Sequence, residues 1–329
     1  MSSISRKRFL MFALRYVPML LFAIVILSFS LMSPRFLDLK NMINIVIQSS
    51  HIGILGIGMT FVLLTAGIDL SVGAIMYLAC AMLAVYLTGL PIWLAMVVMC
   101  TIGMAFGAMN GLLITRLNVA AFIATLATLF IGRGLALFVT GTQLLTLPPP
   151  ILELGRSNIL GVSWTIWAFA IVLAVSWFIL ARTPFGRQVY AVGADPESAA
   201  KAGINVRRVI FFVYVICGFS AAIAALVSGS QVGSISPNFA IQKEFAAIAA
   251  AVLGGTSLFG GRGGVLGTVF GAILIQTVEN GLVIINADPY IYPMVTASII
   301  FVAVMVDSLR TNFLERIDQR VIRMEDLPR

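Results

Sequence analysis

Long apolar stretches follow one another along almost the whole chain, and only short polar segments separate them. About 20 helical residues cross the hydrocarbon core of a bilayer, so stretches of this length predict membrane-spanning helices. Hydrophobic residues make up 60% of the 329 residues and charged residues only 10%, whereas a soluble domain carries about 25% charged residues. The pattern predicts an all-helical, polytopic integral membrane protein.

The apolar stretches predict about ten transmembrane helices within a single domain, residues 1–329. The predicted spans are 17–33, 43–64, 70–88, 91–114, 119–140, 163–181, 209–229, 244–259, 265–285 and 291–309. The eighth is short and interrupted by glycine. The first follows a basic segment but has no small-residue cleavage site after it, so we expect a retained helix.

The basic residues predict the orientation of these spans. With both termini inside, 16 of the 21 lysines and arginines fall in cytoplasmic segments, four fall outside, and Arg133 lies within a span. Short cytoplasmic loops carry such an excess. The same bias accounts for the net charge of +8, and no basic run interleaved with aromatic residues indicates a nucleic-acid partner.

One carboxylate, Asp69, lies in the otherwise apolar segment TAGIDLSVGA, residues 65–74. A charge at this depth is costly and calls for an explanation. Three interpretations are open: a transport-site carboxylate or proton relay, a partner for Arg133, or a helix cap. We favour the cap, in which Ala66-Gly67 ends one helix and Asp69 caps the next by accepting the amide of Ser71 or Val72, while Gly67 and Gly73 allow close backbone approach.

A weak internal sequence repeat, called the echo below, supports a glycine-broken helix at this place. A shift of 194 positions sets residues 66–74 over GGRGGVLGT, residues 260–268, and matches Gly67 with Gly261 and Gly73 with Gly267. The second segment also contains Gly264. Glycine-interrupted helices at corresponding places in two halves indicate a transport site, although Gly-rich membrane chains also match by chance.

The longest polar loop, residues 182–208, contains the signals of one short helix. Asp195 can cap it, Pro196 suits its first position, Glu197 complements its dipole, and Gly203 can end it. Ala199 and Ala200 lie between these ends. A helix this short is unstable alone in water. It must therefore dock on the protein's own spans or on a partner.

The heptad ESAAKAG, residues 197–203, resembles the EAAxxxG coupling motif of ABC importer permeases, with Ser198 in place of the first alanine. Two further blocks, GMTFVLLTAGIDLSVGA at 58–74 and AAVLGGTSLFGGRGGVLGT at 250–268, extend the likeness. Nearly the whole chain resembles the permease subunits of ribose-type monosaccharide ABC importers.

This resemblance implies the ABC importer permease fold in a bacterial inner membrane. It also implies three partners: a second copy or related permease chain, a periplasmic sugar-binding protein that meets loops near 141–162 and 230–243, and a cytoplasmic ATPase. The helix at 195–204 would dock on the ATPase. The chain would move a pentose- or hexose-like sugar inward.

Five residues in the predicted spans are candidates for the pathway or for buried polar contacts: Gln48, His51, Asn110, Arg133 and Glu279. Arg133 is expected to pair with Asp69 or Glu279, because a buried guanidinium needs acceptors; direct sugar contact is the alternative. Trp93 or Phe122 would offer a sugar an aromatic face. Ordinary interhelical hydrogen bonding explains each of these residues equally well.

The sequence predicts no enzymatic activity, cofactor or metal site. The glycine-rich segment 254–261 lacks the lysine of a P-loop, and the chain has a single histidine and three scattered cysteines. The alternative functions are an autonomous secondary transporter that uses Asp69, Glu244 or Glu279, and an ABC permease for nucleosides, autoinducer-type sugars or branched-chain amino acids.

Overall fold

A computed structural model describes residues 19, 20, 22–299, 301, 302 and 305. Within these residues, six helices are long and apolar enough to cross a membrane. They are α2 (Leu39–Leu64), α4 (Ile92–Thr115), α5 (Ala121–Thr140), α7 (Trp164–Arg182), α10 (Val206–Val232) and α12 (Val265–Ile284).

Shorter elements connect these helices. The short helices are α1 (Phe22–Met32), α3 (Val72–Tyr86), α6 (Pro149–Arg156), α8 (Pro184–Ala194), α9 (Pro196–Lys201) and α11 (Lys243–Leu253), with 3-10 turns at Pro34–Leu37 and Pro289–Ile291. Residues 292–299 are also helical. Two antiparallel ladders pair β1 (Leu145–Thr146) with β4 (Ser234–Ile235), and β2 (Asn158–Ile159) with β3 (Val162–Ser163).

The chain divides into two compact units. In the larger unit, residues 42–276, α4 and α10 pack so closely that a Cβ on Gly103 would meet the backbone of Gly218, and one on Gly107 would meet that of Tyr214. Lipid tails are as apolar as the side chains, so the hydrophobic effect does not drive spanning helices together. Small residues of this kind let the helices approach closely and gain dispersion energy instead.

The smaller unit combines residues 1–41 with residues 277–329. Phe29 packs on Phe36, with ring centroids 5.5 Å apart, and Gly281 leaves room for the Phe29 ring. Asn41 Nδ2 donates to the carbonyl of Phe36 and to Oδ1 of Asn280, at 2.8 and 3.0 Å. These contacts join the beginning of α2 to the second half of α12.

The six long helices confirm six of the predicted spans with small shifts of their ends. The third predicted span is the 15-residue α3, and the eighth, 244–259, is instead the 11-residue α11 followed by irregular backbone at 254–264. An 11-residue helix covers only about 16 Å, so the prediction of a complete eighth span is wrong. The first and tenth predicted spans lie partly outside the described residues.

Candidate functional site: a docked loop on two broken helices

The predicted short helix in the 182–208 loop is α9, and its caps follow the sequence signals. Asp195 is its N-cap: Oδ1 accepts the amides of Glu197 and Ser198 at 2.9 and 3.3 Å, and Oδ2 accepts the Ser198 hydroxyl at 2.6 Å. These bonds lower the pKa of the Asp195 carboxyl, with the Ser198 hydroxyl as the largest cause. Pro196 occupies the first helical position, as expected.

The end of α9 is a left-handed turn at Gly203, whose φ is +85°. The amides of Gly203 and Ile204 donate to the carbonyls of Ala200 and Ala199, both at 3.0 Å, which satisfies two of the last carbonyls of the helix. Ala199 is buried, whereas the side chains of Glu197 and Lys201 are 86% and 80% exposed. The helix is therefore docked through Ala199 and presents charged side chains outward.

A second helix in this loop, α8, was not predicted from the sequence. Thr183 caps it by accepting the amide of Gly186 at 3.2 Å, and Pro184 is its first residue. It places Gly193 against the backbone of Leu64 and Gly261, so that a Cβ there would collide with the Leu64 carbonyl. The Tyr190 hydroxyl donates to the carbonyl of Gly263 at 2.9 Å.

These contacts join α8 to two interruptions in the apolar helices. The first break, residues 65–71, separates α2 from α3; the second break, residues 254–264, separates α11 from α12. The amide of Gly261 in the second break donates to the carbonyl of Leu64, the last residue of α2, at 3.0 Å. The docked loop and the two breaks thus share one continuous backbone contact.

The first break ends α2 as predicted, but with alanine in the left-handed position. Ala66 has φ +58°, and the amides of Ala66 and Gly67 donate back to Leu63 and Val62 at 2.9 and 3.1 Å. Gly67 serves close approach instead, because a Cβ there would meet the Tyr214 hydroxyl. A residue with a side chain in the left-handed region is strained, so this helix end depends on its surroundings.

Asp69 accepts the amide of Ser71, one of the two amides that the cap interpretation names, but it is not the N-cap of α3. The N-cap is Ser71. Asp69 Oδ1 lies 2.9 Å from the Ser71 amide nitrogen and 2.6 Å from its Oγ, so the carboxylate shapes the turn that leads into the helix. Such local side-chain turns are typical of aspartate.

The turn continues into a buried polar cluster. Asn110 Nδ2 donates to Ser71 Oγ at 2.8 Å and lies 3.4 Å from Asp69 Oδ1, and the Thr128 hydroxyl donates to Asn110 Oδ1 at 2.7 Å. These side chains are almost fully buried. Asp69 Oδ2 has no hydrogen-bond partner among the described residues. Non-helical backbone within a membrane protein needs such internal partners.

Helix α11 ends at the second break as α2 ends at the first, but with glycine in place of alanine in the left-handed position. Gly255 has φ +87°, and the amides of Gly255 and Thr256 donate to Val252 and Ala251 at 2.8 and 2.9 Å. Gly261 also has a positive φ, +69°, whereas its predicted counterpart Gly67 does not. That pair of the proposed echo therefore matches in sequence but not in backbone conformation.

The other echoed pair is alike in structure. Gly73 and Gly267 both lie in the first turn after a break, and in each case another backbone fills the space of a side chain. The carbonyl of Ala240 and the Glu244 carboxylate lie against Gly73, and the carbonyl of Gly254 lies against Gly267. Gly264 ends the second break, near the Tyr190 hydroxyl. Close approach after a helix break is thus the shared feature.

Arg133 does not pair with Asp69, and that prediction is wrong. Its guanidinium donates to the carbonyls of Phe239 and Pro237, at 3.0 and 2.5 Å, and lies 5.0 Å from the centre of the Tyr77 ring. The acceptors belong to the irregular segment 236–242, where Ala240 and Gln242 have positive φ. Arg133 therefore supplies the donors that this segment lacks.

Replacing Arg133 with methionine should lower the stability of the protein in detergent by about 2 kcal/mol, because the part-buried carbonyls of Phe239 and Pro237 lose their charged donor and a hydrogen bond to a charged group contributes about 1.5–3 kcal/mol. Thermal unfolding measures the loss, and limited proteolysis within 236–242 should become faster. Arg156→Met, at the exposed end of α6, is the matched control. Equal unfolding temperatures for the two variants would contradict the assignment.

The remaining predicted candidates lie on the long helices. Gln48 Oε1 accepts from Gln276 Nε2 at 2.9 Å, and Gln48 Nε2 donates to Asn44 at 3.3 Å. His51 is buried on α2 and Glu279 is half-buried on α12. Trp93 and Phe122 are 64% and 55% exposed on the spans. A pathway role for these residues stays a prediction.

The fold and this loop define a multi-pass helical membrane protein. A family model described as "Branched-chain amino acid transport system / permease component" matches residues 41–308. The chain therefore belongs to this family of transport permease components.

Several curated proteins are similar over most of the chain. The ribose import permease protein RbsC of Haemophilus influenzae is 38% identical over 87% of this chain and 90% of its own. The D-allose transport system permease protein of Escherichia coli K12 is 35% identical over 94% and 97%. The galactose/methyl galactoside import permease of H. influenzae is 34% identical over 91% and 94%. No solved structure matches the chain.

Proposed function

We propose that the chain is the membrane-spanning permease subunit of an ATP-driven ABC importer that carries a monosaccharide into the cytoplasm. The observation that carries this proposal is the likeness, over nearly the full length of each chain, to permeases named for ribose, allose and galactose. Sugars differ among these relatives, so the proposal specifies the class of monosaccharides.

The proposed mechanism needs no bond chemistry in this chain. Residues 1–329 form one permease domain with about ten membrane crossings in a bacterial inner membrane, the eighth made by the short α11 together with the irregular segment 254–264. Both termini lie in the cytoplasm, and a second permease chain lies beside this one. A periplasmic binding protein delivers the sugar. A cytoplasmic ATPase closes on ATP, pulls or pushes on α9, and so changes which side of the pathway is open.

The docked loop supports this role for α9. Its exposed Glu197 and Lys201 offer charges to a partner, while its buried Ala199 and the neighbouring Gly193 bind it to the rest of the chain. A force on α9 is therefore transferred to α8, and from α8 to both helix breaks. This arrangement suits a permease that is opened by a separate motor.

The β1–β4 ladder supports the proposed binding-protein face. It joins the 141–162 loop to the segment after α10, the two regions expected on the periplasmic side. Both strands are only two residues long, so the ladder fixes the two loops side by side without closing the surface around them. A binding protein could then contact both loops at once.

Reconstitution tests the proposal. The chain in liposomes with its ATPase and binding protein should take up a radiolabelled pentose or hexose only when ATP is supplied. Uptake by the chain alone would favour an autonomous carrier. The name of the matched family favours a second candidate, import of branched-chain amino acids; competition of uptake by leucine but not by ribose would support it.

Replacing Glu197 with lysine should weaken docking of the ATPase by about tenfold or more, because reversing a charge at an interface costs several kcal/mol and each 1.4 kcal/mol is tenfold. Gly203→Val should act in the same direction, since Gly203 has φ +85°. Co-purification and substrate-stimulated ATPase activity measure the loss.

The control is Glu153→Lys, which reverses an exposed charge on α6, away from the docked loop. It should leave ATPase docking unchanged. Normal docking and normal stimulation in Glu197→Lys would remove α9 from the coupling role, although the chain could still be a permease.

A further inference from the structure

A cavity of about 740 Å³ lies where α7 ends and α10 begins, beside the first turn of α8. Its polar lining includes Thr183, Gln188 and Arg208, and its apolar lining includes Ile179, Phe212 and Ile216. The volume is within the range of about 300–1,000 Å³ that is usual for small-molecule sites. A positively charged rim above an apolar floor suits an amphipathic anion.

The cavity crosses the boundary between the polar loop and the apolar spans. Arg208 lies in the first turn of α10, and Ile216 lies ten residues after the helix begins, which is about 15 Å along the axis. That length matches a phosphorylated headgroup together with the upper part of an acyl chain. A water-soluble partner would not reach the apolar end.

The charge at the rim is not balanced by the protein. The 182–208 loop carries five basic and two acidic residues, and the only ion pair within 4.0 Å among the described residues joins Lys201 to Glu197. Arg207 and Arg208 also stand at the N-terminus of α10, where the helix dipole disfavours cations. Of the two, Arg208 lines the cavity, and its unbalanced charge there indicates a ligand of negative charge.

Aromatic side chains at the same level support a membrane boundary here. Arg208 lies 5.8 Å from the centre of the Phe212 ring, and Arg182 lies 5.9 Å from that of Trp177. Phe212 and Trp177 are 40% and 39% exposed. Amphipathic and aromatic residues gather at the headgroup level of membrane proteins, and basic pockets between spans bind anionic headgroups.

We propose that this cavity binds one anionic phospholipid, with its phosphate at Arg208 and Gln188 and the start of an acyl chain against Phe212 and Ile216. The bound lipid would fill the space between α7, α8 and α10. It would thereby support the docked loop through α8, and it would make loop docking depend on membrane composition.

The full-length chain in detergent, titrated with phosphatidylglycerol and followed by native mass spectrometry, tests this site. Arg208→Gln should bind phosphatidylglycerol about fivefold more weakly, the size expected for one arginine near an anionic surface. Arg207→Gln is the matched control: it removes the neighbouring charge, which does not line the cavity. Both changes relieve the same helix dipole, so neither should unfold the chain.

Phosphatidylcholine with the same acyl chains should bind weakly to all three proteins, and millimolar inorganic phosphate should not displace the lipid. Equal losses in the two arginine variants, or equal binding of the two lipids, would overturn the site. Displacement by phosphate would show an anion site that does not use the acyl chain. Normal lipid binding by Arg208→Gln with failed ATPase assembly would assign the surface to a protein partner.

Discussion

Replacing Gly193 with alanine should abolish most transport while the chain still inserts and folds. The added methyl group would collide with the carbonyl of Leu64 and with the Gly261 amide. Overpacking of this kind costs about 1–3 kcal/mol, and moving α8 away from the breaks is the cheapest relief. ATP-driven uptake by the reconstituted complex should fall by about tenfold or more, since 1.4 kcal/mol is tenfold in rate.

The matched control is Gly134→Ala on α5, where a Cβ meets nothing within 4 Å. It should transport normally. Co-purified ATPase distinguishes the cause, because Gly193→Ala leaves the exposed face of α9 unchanged and should still bind the motor. Uptake equal to that of the control would show that contact between α8 and the breaks is not needed for transport.

Replacing Asp69 with leucine should destabilise the protein severely, whereas Asp69→Asn should be tolerated. Leucine leaves the Ser71 amide, the Ser71 hydroxyl and one donor of Asn110 without their acceptor. Each unsatisfied buried group costs about 1–3 kcal/mol, so a loss above about 3 kcal/mol is expected. Asparagine keeps an acceptor oxygen at Oδ1 and changes only Oδ2, which has no partner among the described residues.

Thermal unfolding and reconstituted uptake separate structure from transport in this pair. Asp69→Asn should unfold at the same temperature as the parent or higher, and it should transport within about twofold, which is a small effect of under 0.5 kcal/mol. A well-folded Asp69→Asn protein without uptake would instead make the carboxylate a transport residue, as a secondary carrier would require.

Helix α9 and its caps could be predicted from the sequence because they depend on local chemistry. Asp195, Pro196 and Gly203 each have a conformational preference that acts within four residues, and the structure follows all three. Helix α8 was missed because its capping threonine and Pro184 precede a segment with glycines and an arginine, which has the composition of a loop. Its stability depends on contacts with α7 and α10, and no local pattern reports them.

Tertiary partners explain the other differences. Arg133 was matched with carboxylates because sequence shows charges, but its acceptors are two backbone carbonyls more than 100 positions away. Asp69 was predicted to accept from Ser71 or Val72 and accepts from Ser71, two residues on. Asn110 and Thr128 joined the cluster through packing of α4 and α5. Helix α11 is short because the backbone is irregular both before and after it. The apolar composition of this region gives no sign of that irregularity.

The tight seam between α11 and α12 decides where movement can take place. Gly254 lies against Gly267, and Gly271 against the carbonyl of Ala250, with no side chain between the two backbones. A seam without side chains cannot slide by repacking rotamers, so α11 and the first half of α12 should turn as one lever. A turn of α11 would then have to be taken up in the irregular segment 236–242, where Arg133 holds two carbonyls.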